Sequence, residues 1–304
     1  MIEDTALLEE LRPYAFSIAY RMLGSVAEAE DVVQEALLRV HGAIEAGTRL
    51  ESPRAYVATI TTRLALDQLK SARARREQYV GEWLPEPMIT DESADPARHA
   101  EIADAVSYAF LALLERLSPE QRAALLLRDV FDYGYPEIAG IIGTSPENAR
   151  QLASRARRHV TERRPRFDAS PDAKRALATR FFAAVEQGDL TGLEKMLARD
   201  VVLHGDGGGK VPAIPRALQG RDHAIRTLAA WWRAGMAGRA VARIAEVNGE
   251  PGAVLRDRDG ALLGVIALEI GGDQIVAIRS VVNPDKLGHL APLGDMHEVL
   301  AQRS

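Results

Sequence analysis

The chain has 304 residues, is 47% hydrophobic and contains no cysteine. That is enough length for two or more domains with sizeable cores; a disulfide framework and thiol catalysis are excluded, and a reducing, cytoplasmic location is expected. With a formal net charge of −5, a nucleic-acid partner has to be met by a local basic cluster rather than by bulk charge.

Residues 1 to 77 read as helices, and the acidic start MIEDTALLEELRPY lacks a signal-peptide pattern. No apolar run reaches membrane-spanning length, so no membrane partner is expected. In EAEDVVQEALLRVHGAI, Val32, Ala36, Val40 and Ala43 share a face, adjoined by Val33, Leu37 and Ile44. Ser52-Pro53 then opens a second helix over AYVATITTRLALDQLKSARARRE, with Ile60, Leu64 and Leu69 predicted inward. Its last turns carry Lys70, Arg73, Arg75 and Arg76, a bias that the helix dipole favours.

Residues 78 to 100 lose the helical period and are rich in proline and acid, which predicts a linker. Linkers rarely need a tryptophan, so Trp83 in WLPEP is expected to pack on a neighbouring domain. Helical patterning returns over 101 to 164 as three segments. Ser118-Pro119 starts the first, Tyr135-Pro136 the short second, and Gly143 ends the second. Thr144 or Ser145 caps the third, with Glu147 placed for a capping box from Thr144. A short helix, a tight turn and a longer helix make a helix-turn-helix. Ala149, Leu152, Ala153, Ala156 and Val160 can pack inward. Glu147, Asn148, Arg150, Gln151, Ser154, Arg155, Arg157 and Arg158 are left for solvent or DNA, with Arg suited to guanine edges and Asn or Gln to adenine.

A second linker covers 165 to 170, and an α+β pattern runs from 171 to 283, followed by a tail over 284 to 304. A helix pair is expected to end at Gly188-Asp189 and at Asp200, with VVLHG a short strand and RDHAIRTLAAWWRAG a helix. Four strand-like runs follow, separated by Asn-Gly, Asp-Gly and Gly-Gly turns. DGGGK, residues 206 to 210, invites a phosphate-loop reading and fails it. His204 stands where the first glycine belongs and Val211 where Ser or Thr belongs, while Pro212 and Pro215 oppose a following helix. A dinucleotide fingerprint fails because Lys210 occupies the last glycine position. The seven histidines show no metal-ligand spacing, and no metal or other cofactor is expected.

Taken together, these segments resemble the extracytoplasmic-function sigma factors of bacterial RNA polymerase. AEDVVQEALLRVH is similar to their polymerase-clamp helix, ATITTRLALDQLKSARARR to their promoter −10 helix, and the helix-turn-helix to their −35 reader. WLPEP, DGGGK and NPDKL (283 to 287) resemble signatures of the subgroup with a fused C-terminal SnoaL-like domain. The resemblance implies a multi-domain chain: a sigma2 helical bundle, a sigma4 helix-turn-helix, and an α+β cone-shaped SnoaL/NTF2-like domain. It implies core RNA polymerase and promoter DNA as partners, no catalytic chemistry, and no requirement for an anti-sigma factor. Asp31, Gln34, Glu35 and Arg39 would bind polymerase. Arg63, Asp67, Lys70, Arg73 and Arg76 would line the −10 element, and the loop from Ala46 to Glu51 would hold an unstacked base. Thr62 stands where Asn is frequent.

The three signatures would form a regulatory contact, through Trp83, Leu84, Pro85, Glu86 and Pro87, then Asp206, Gly207, Gly208, Gly209 and Lys210, then Asn283, Pro284, Asp285, Lys286 and Leu287. The alternative is a C-terminal domain that also binds, or acts as a cyclase or isomerase on, a small-molecule ligand. His204 and Trp232 are the pocket residues that alternative needs, with His204 and Asp206 as an acid/base pair.

Overall fold

The structure, a computed structural model, describes residues 2–77, 79–90, 107–161, 170–231, 233 and 239–301. The chain divides into two compact units. One comprises Met1–Gln78, Ala94–Val106 and Phe110–Arg164; the other comprises Tyr79–Ser93, Ser107–Ala109 and Pro165–Ser304.

The first unit is helical. α1 (Ile2–Leu23), α2 (Val26–Glu45) and α3 (Pro53–Glu77) pack on one another. Ser25 caps α2 by accepting from the Glu28 amide, and Ser52 caps α3 through the Ala55 amide. α2 buries Val32, Val33, Ala36 and Val40, as its period predicts. α3 differs from its predicted face. Ile60 and Leu64 are only partly buried, whereas Val57, Ala58, Thr61, Thr62 and Ala65 are wholly buried. Small and β-branched side chains let α3 approach its neighbours closely, and packing overrides a reading that ranked residues by hydrophobicity alone. Thr62 is thus a core residue, not a surface one.

α4 (Tyr108–Leu114), α5 (Pro119–Asp129), α6 (Tyr135–Ile142) and α7 (Pro146–Thr161) follow. Ser118 and Gln121 form a full capping box at α5. Gly143 ends α6 at φ 72°. Ser145, not Thr144, caps α7, because its Oγ accepts from the Asn148 amide while Thr144 Oγ1 accepts from the Asn148 side chain. Ala149, Ala153, Ala156 and Val160 are buried, and the first two pack with Leu127 and Ile138.

The second unit is α+β. α8 (Pro171–Gln187) and α9 (Leu190–Met196) precede a sheet of β1 (Leu197–Asp206), β2 (Leu218–Gln219), β3 (Ala240–Val247), β4 (Glu250–Asp257), β5 (Leu262–Gly271) and β6 (Gln274–Val281), with α10 (Arg221–Trp231) after β2. The strand order is β2-β1-β6-β5-β4-β3, with β1 parallel to β6 and the other neighbours antiparallel. β1 starts four residues before the predicted VVLHG. Leu197 pairs with Ile275 across a register shift, and Leu197 and Ala198 are buried, so strand pairing claims residues that read locally as helix.

α8, α9 and α10 cover one sheet face around Phe181, Leu203, Leu268 and Ile278. The other face is covered by the chain that follows α3: Leu84 and Tyr108 pack with Val247, Val265, Val281 and Leu287. This segment also extends the sheet. The Asn248 amide donates to Met88 O at 2.8 Å and the Thr90 amide to Glu246 O at 2.9 Å, along the otherwise open edge of β3. A last helix, α11 (Met296–Ala301), puts Met296 and Val299 against Leu255, Leu263 and Val282.

Candidate functional site

α7 presents one polar face. Glu147, Asn148, Arg150, Gln151, Ser154, Arg155 and Arg158 are all exposed. The Glu147 carboxyl is held below its ordinary range by its own backbone amide and by Ser145. Arg150 lies 5.1 Å from the Tyr135 ring, so α6 supports one end of this face. Arg157 is committed within the motif, donating to both oxygens of Asp129 on α5. The result is a helix whose outward face carries Arg150, Arg155 and Arg158, side chains of the type that meet phosphates and base edges.

On α2, Asp31, Gln34, Glu35 and Arg39 are exposed, and Arg39 Nε donates to Glu35 Oε1 at 2.7 Å. Leu38 lies among them, 59% exposed, and the sequence reading assigns it to no face. On α3, Arg63, Asp67 and Lys70 are exposed, while the side chains of Arg73 and Arg76 lie outside the described residues. Ala46, Gly47, Thr48, Arg49 and Glu51 are exposed in the loop before α3.

In the second unit, the three short motifs meet around a buried ion pair. Lys286 Nζ lies 2.6 Å from Asp206 Oδ2, with side-chain exposures of 7% and 0%. The pair's partners include residues of all three motifs and Tyr79, just before WLPEP. The Leu84 amide donates to Asp206 Oδ2 at 2.8 Å, and Lys286 donates to Leu84 O. Tyr79 Oη donates to Asp206 Oδ1 at 2.5 Å and accepts from Asn283 Nδ2 at 2.8 Å. Burial, and then the Asp206 carboxylate it donates to, push the Tyr79 phenol well above its ordinary range. The Lys286 ammonium also lies 3.8 Å from the Trp83 ring centre.

The glycines of DGGGK serve this junction. Gly208 and Gly209 have φ of 61° and 70°. A Cβ on Gly208 would lie 2.4 Å from Asn283 Nδ2, and one on Gly209 would lie 2.9 Å from Val80 Cβ. Neither side-chain volume nor ordinary backbone geometry is tolerated there. Lys210 Nζ, by contrast, reaches Asp285 Oδ1 at 2.6 Å on the surface. Further along, Tyr108 Oη donates to Pro85 O, and His289 Nε2 donates to Pro87 O at 2.9 Å.

His204 lies on the sheet face beneath this segment, 9% exposed, with Nδ1 2.8 Å from Glu82 Oε1. It and Asp206 are engaged by different partners: Glu82 for the histidine, Lys286, Tyr79 and the Leu84 amide for the carboxylate. Trp232 lies outside the described residues. No cluster of three or more potential metal ligands occurs among the described residues, and no described helix is long and apolar enough to cross a membrane.

The sigma-70 region 2 family matches residues 7–75 and the sigma-70 region 4 family matches residues 107–160. The ECF RNA polymerase sigma factor SigJ of Mycobacterium tuberculosis is 39% identical over 292 residues, covering 93% of each chain. This chain is an extracytoplasmic-function RNA polymerase sigma factor. The probable ECF RNA polymerase sigma factor SigI of the same species is 35% identical over 287 residues, covering 93% of this chain and 94% of that one. The crystal structure of M. tuberculosis SigJ matches with a TM-score of 0.78 at 36% identity, covering 95% of this sigma factor and all (100%) of that chain. The helical unit thus carries regions 2 and 4 of a promoter-specificity factor, whose partners are core RNA polymerase and promoter DNA.

Sequence reasoning missed several clasp residues. Tyr79, Val80 and Glu82 precede WLPEP and fall within the predicted linker; the aromatic residue in a polar tract is a usable signal for Tyr79. Asn248, whose Oδ1 accepts from the Met88 amide at 3.0 Å, was read only as half of an Asn-Gly turn.

Proposed function

We propose that this sigma factor is regulated in cis by its α+β unit, through the clasp of WLPEP, DGGGK and NPDKL. The observation that carries the proposal is the Lys286–Asp206 pair closed over Leu84, because Leu84 belongs to the chain that joins region 2 to region 4. Holding that chain restricts how far the two DNA-reading regions can part. Tethering makes a contact of modest intrinsic affinity sufficient.

On this reading, Arg155 and Arg158 engage the −35 element together with Glu147, Asn148, Arg150, Gln151 and Ser154. Arg63, Asp67, Lys70, Arg73 and Arg76 engage the −10 element, and Asp31, Gln34, Glu35 and Arg39 engage polymerase. The chain is not an enzyme, and regulation in cis makes an anti-sigma factor unnecessary. The described residues favour this over a ligand-binding or catalytic reading, because His204 and Asp206 are spent on Glu82 and Lys286.

The test is promoter-directed transcription with core polymerase. Arg155→Ala and Arg158→Ala should each weaken promoter binding by about 1–3 kcal/mol if they read a base, or lower the salt slope by about one if they hold a phosphate. Gly208→Ala, which drives a methyl into Asn283, should change transcript yield while leaving promoter choice unaltered. Identical yield from Gly208→Ala and the parent chain would remove the clasp from regulation.

A further inference from the structure

The polar residues of α7 fall into two stripes at helical spacing. Asn148, Gln151, Arg155 and Arg158 share one; Glu147, Arg150, Ser154 and Arg157 share the other, and all eight are exposed. The second stripe borders a cluster built from the end of α5 and the start of α6. Three guanidiniums converge there on Tyr135. Arg128 and Arg150 lie 5.4 Å and 5.1 Å from its ring centre, and Arg157 makes a side-chain hydrogen bond to it.

The two arginines of this stripe have different partners. Arg157 Nε donates to Asp129 Oδ2 at 2.9 Å and its Nη2 to Asp129 Oδ1 at 2.5 Å, a two-pronged pair that cancels its charge. Near Arg150 the carboxylate is that of Glu147, which is bonded to its own amide and to Ser145, while the Arg150 guanidinium lies by the Tyr135 ring.

The fold gains little from Asp129. It is the last residue of α5, where the partial negative charge of a helix C-terminus disfavours a carboxylate. The Arg157 and Asp129 side chains are 47% and 32% exposed, so water screens their attraction. The larger consequence falls on Arg157 itself. In a helix-turn-helix the first helix crosses the DNA backbone while the second enters the groove. A stripe of α7 that borders the start of α6 therefore faces phosphates, and an arginine there would take one unless another anion already held it.

We propose that the Tyr135 side of α7 is its phosphate side, and that Asp129 is a positioning residue that sets its strength: it holds Arg157 off the DNA backbone and leaves Arg150 as the phosphate contact of that stripe. Base discrimination then falls to the stripe of Asn148, Gln151, Arg155 and Arg158. This rests on the −35 role proposed above for α7.

The test uses core polymerase loaded with the full chain, and duplexes carrying either the −35 element or a scrambled one, titrated over a salt series. Each phosphate contact adds about 0.9 to the slope of log affinity against log salt. Asp129→Asn keeps the shape and removes the charge, so it should steepen the slope by about 0.9 on both duplexes. Adding Arg157→Gln should cancel that gain. Arg150→Gln should flatten the slope by about 0.9 on both duplexes and leave the ratio of their affinities unchanged. A slope that Asp129→Asn leaves unchanged or flattens, as a merely structural staple predicts, would overturn the proposal. So would a gain that survives Arg157→Gln, or an Arg150→Gln variant that loses discrimination at one base position. Arg155→Ala, on the other stripe, should lower the ratio. A parent chain that binds both duplexes equally would instead count against the −35 reading, while the slopes on scrambled DNA still report on Asp129.

Discussion

The buried ion pair of the α+β unit and the arginine contacts between regions 2 and 4 of the helical unit both join distant stretches of chain through cations, yet they differ in what surrounds the charge. In the clasp, an ammonium and a carboxylate are both buried, and a backbone amide, a phenol and an indole ring surround them. Opening it would leave full charges in an apolar setting. Between regions 2 and 4, Arg122 is buried beside Glu115 and donates to Met22 O, whereas Arg63 is exposed and donates to the neutral carbonyls of Gly140 and Ile141, which water can satisfy equally well. Opening that contact costs little at either end. Burial, more than the number of bonds, sets what the loss of one partner costs.

The largest expected effect comes from halving the clasp. Lys286→Met leaves the Asp206 carboxylate buried without its counter-charge. Removing one member of such a pair typically costs about 3–5 kcal/mol, so the urea midpoint of the α+β unit should fall by a corresponding amount. Asp206→Asn/Lys286→Met removes both charges and should recover most of that loss. A single variant within about 1 kcal/mol of the parent would mean that the pair is far better hydrated than its exposures indicate.

A smaller effect sharpens the same contrast through pH. Glu250, at the start of β4, has its carboxyl pushed up to about 7, first by burial and then by the Glu269 charge, against the opposing influence of Arg279 and Lys174. Its unfolded value is about 4.5, so the folded state keeps a proton between 4.5 and 7 that the unfolded state has lost. The associated stability is present in full below pH 4.5 and is lost as pH rises through 7. Because the residue is half-buried, the loss should be on the order of 1–2 kcal/mol. Glu250→Gln should flatten the curve between pH 4.5 and pH 7; a slope unchanged by the substitution would place the proton elsewhere.

Where sequence and structure part company, the reason is tertiary in each case. α7's buried alanines and exposed arginines follow a 3.6-residue period, and Ser118-Pro119 and Gly143 mark helix ends by local chemistry alone. The wholly buried Thr61 and Thr62 of α3 have no local signal, because their burial depends on how closely other helices approach. The early start of β1 depends on Ile275, nearly eighty positions away in the chain. For the clasp, WLPEP, DGGGK and NPDKL were each visible, and so was the mismatch of a tryptophan with a linker. That Asp206 faces Lys286, and not His204, was not, since strand alternation puts His204 and Asp206 on one face without saying what covers each.

The smallest expected effect concerns a second ion pair between the same two motifs. Lys210 and Asp285 approach as closely as Lys286 and Asp206, at 2.6 Å, and involve the same kinds of group. Their side chains are 54% and 60% exposed, so water and salt screen the attraction, and both chains give up rotamer freedom to hold the geometry. The backbone contact of this loop survives substitution, because His297 Nε2 meets Lys210 O rather than its side chain, at 2.7 Å. Lys210→Ala should therefore change stability by no more than about 0.5 kcal/mol, and a double-mutant cycle with Asp285→Ala should give a coupling of similar size that fades in high salt. A coupling above about 1.5 kcal/mol, insensitive to salt, would show that the two loops exclude water together in solution. The contrast between surface and buried pairs would then fail at the one place where distance and chemistry are matched.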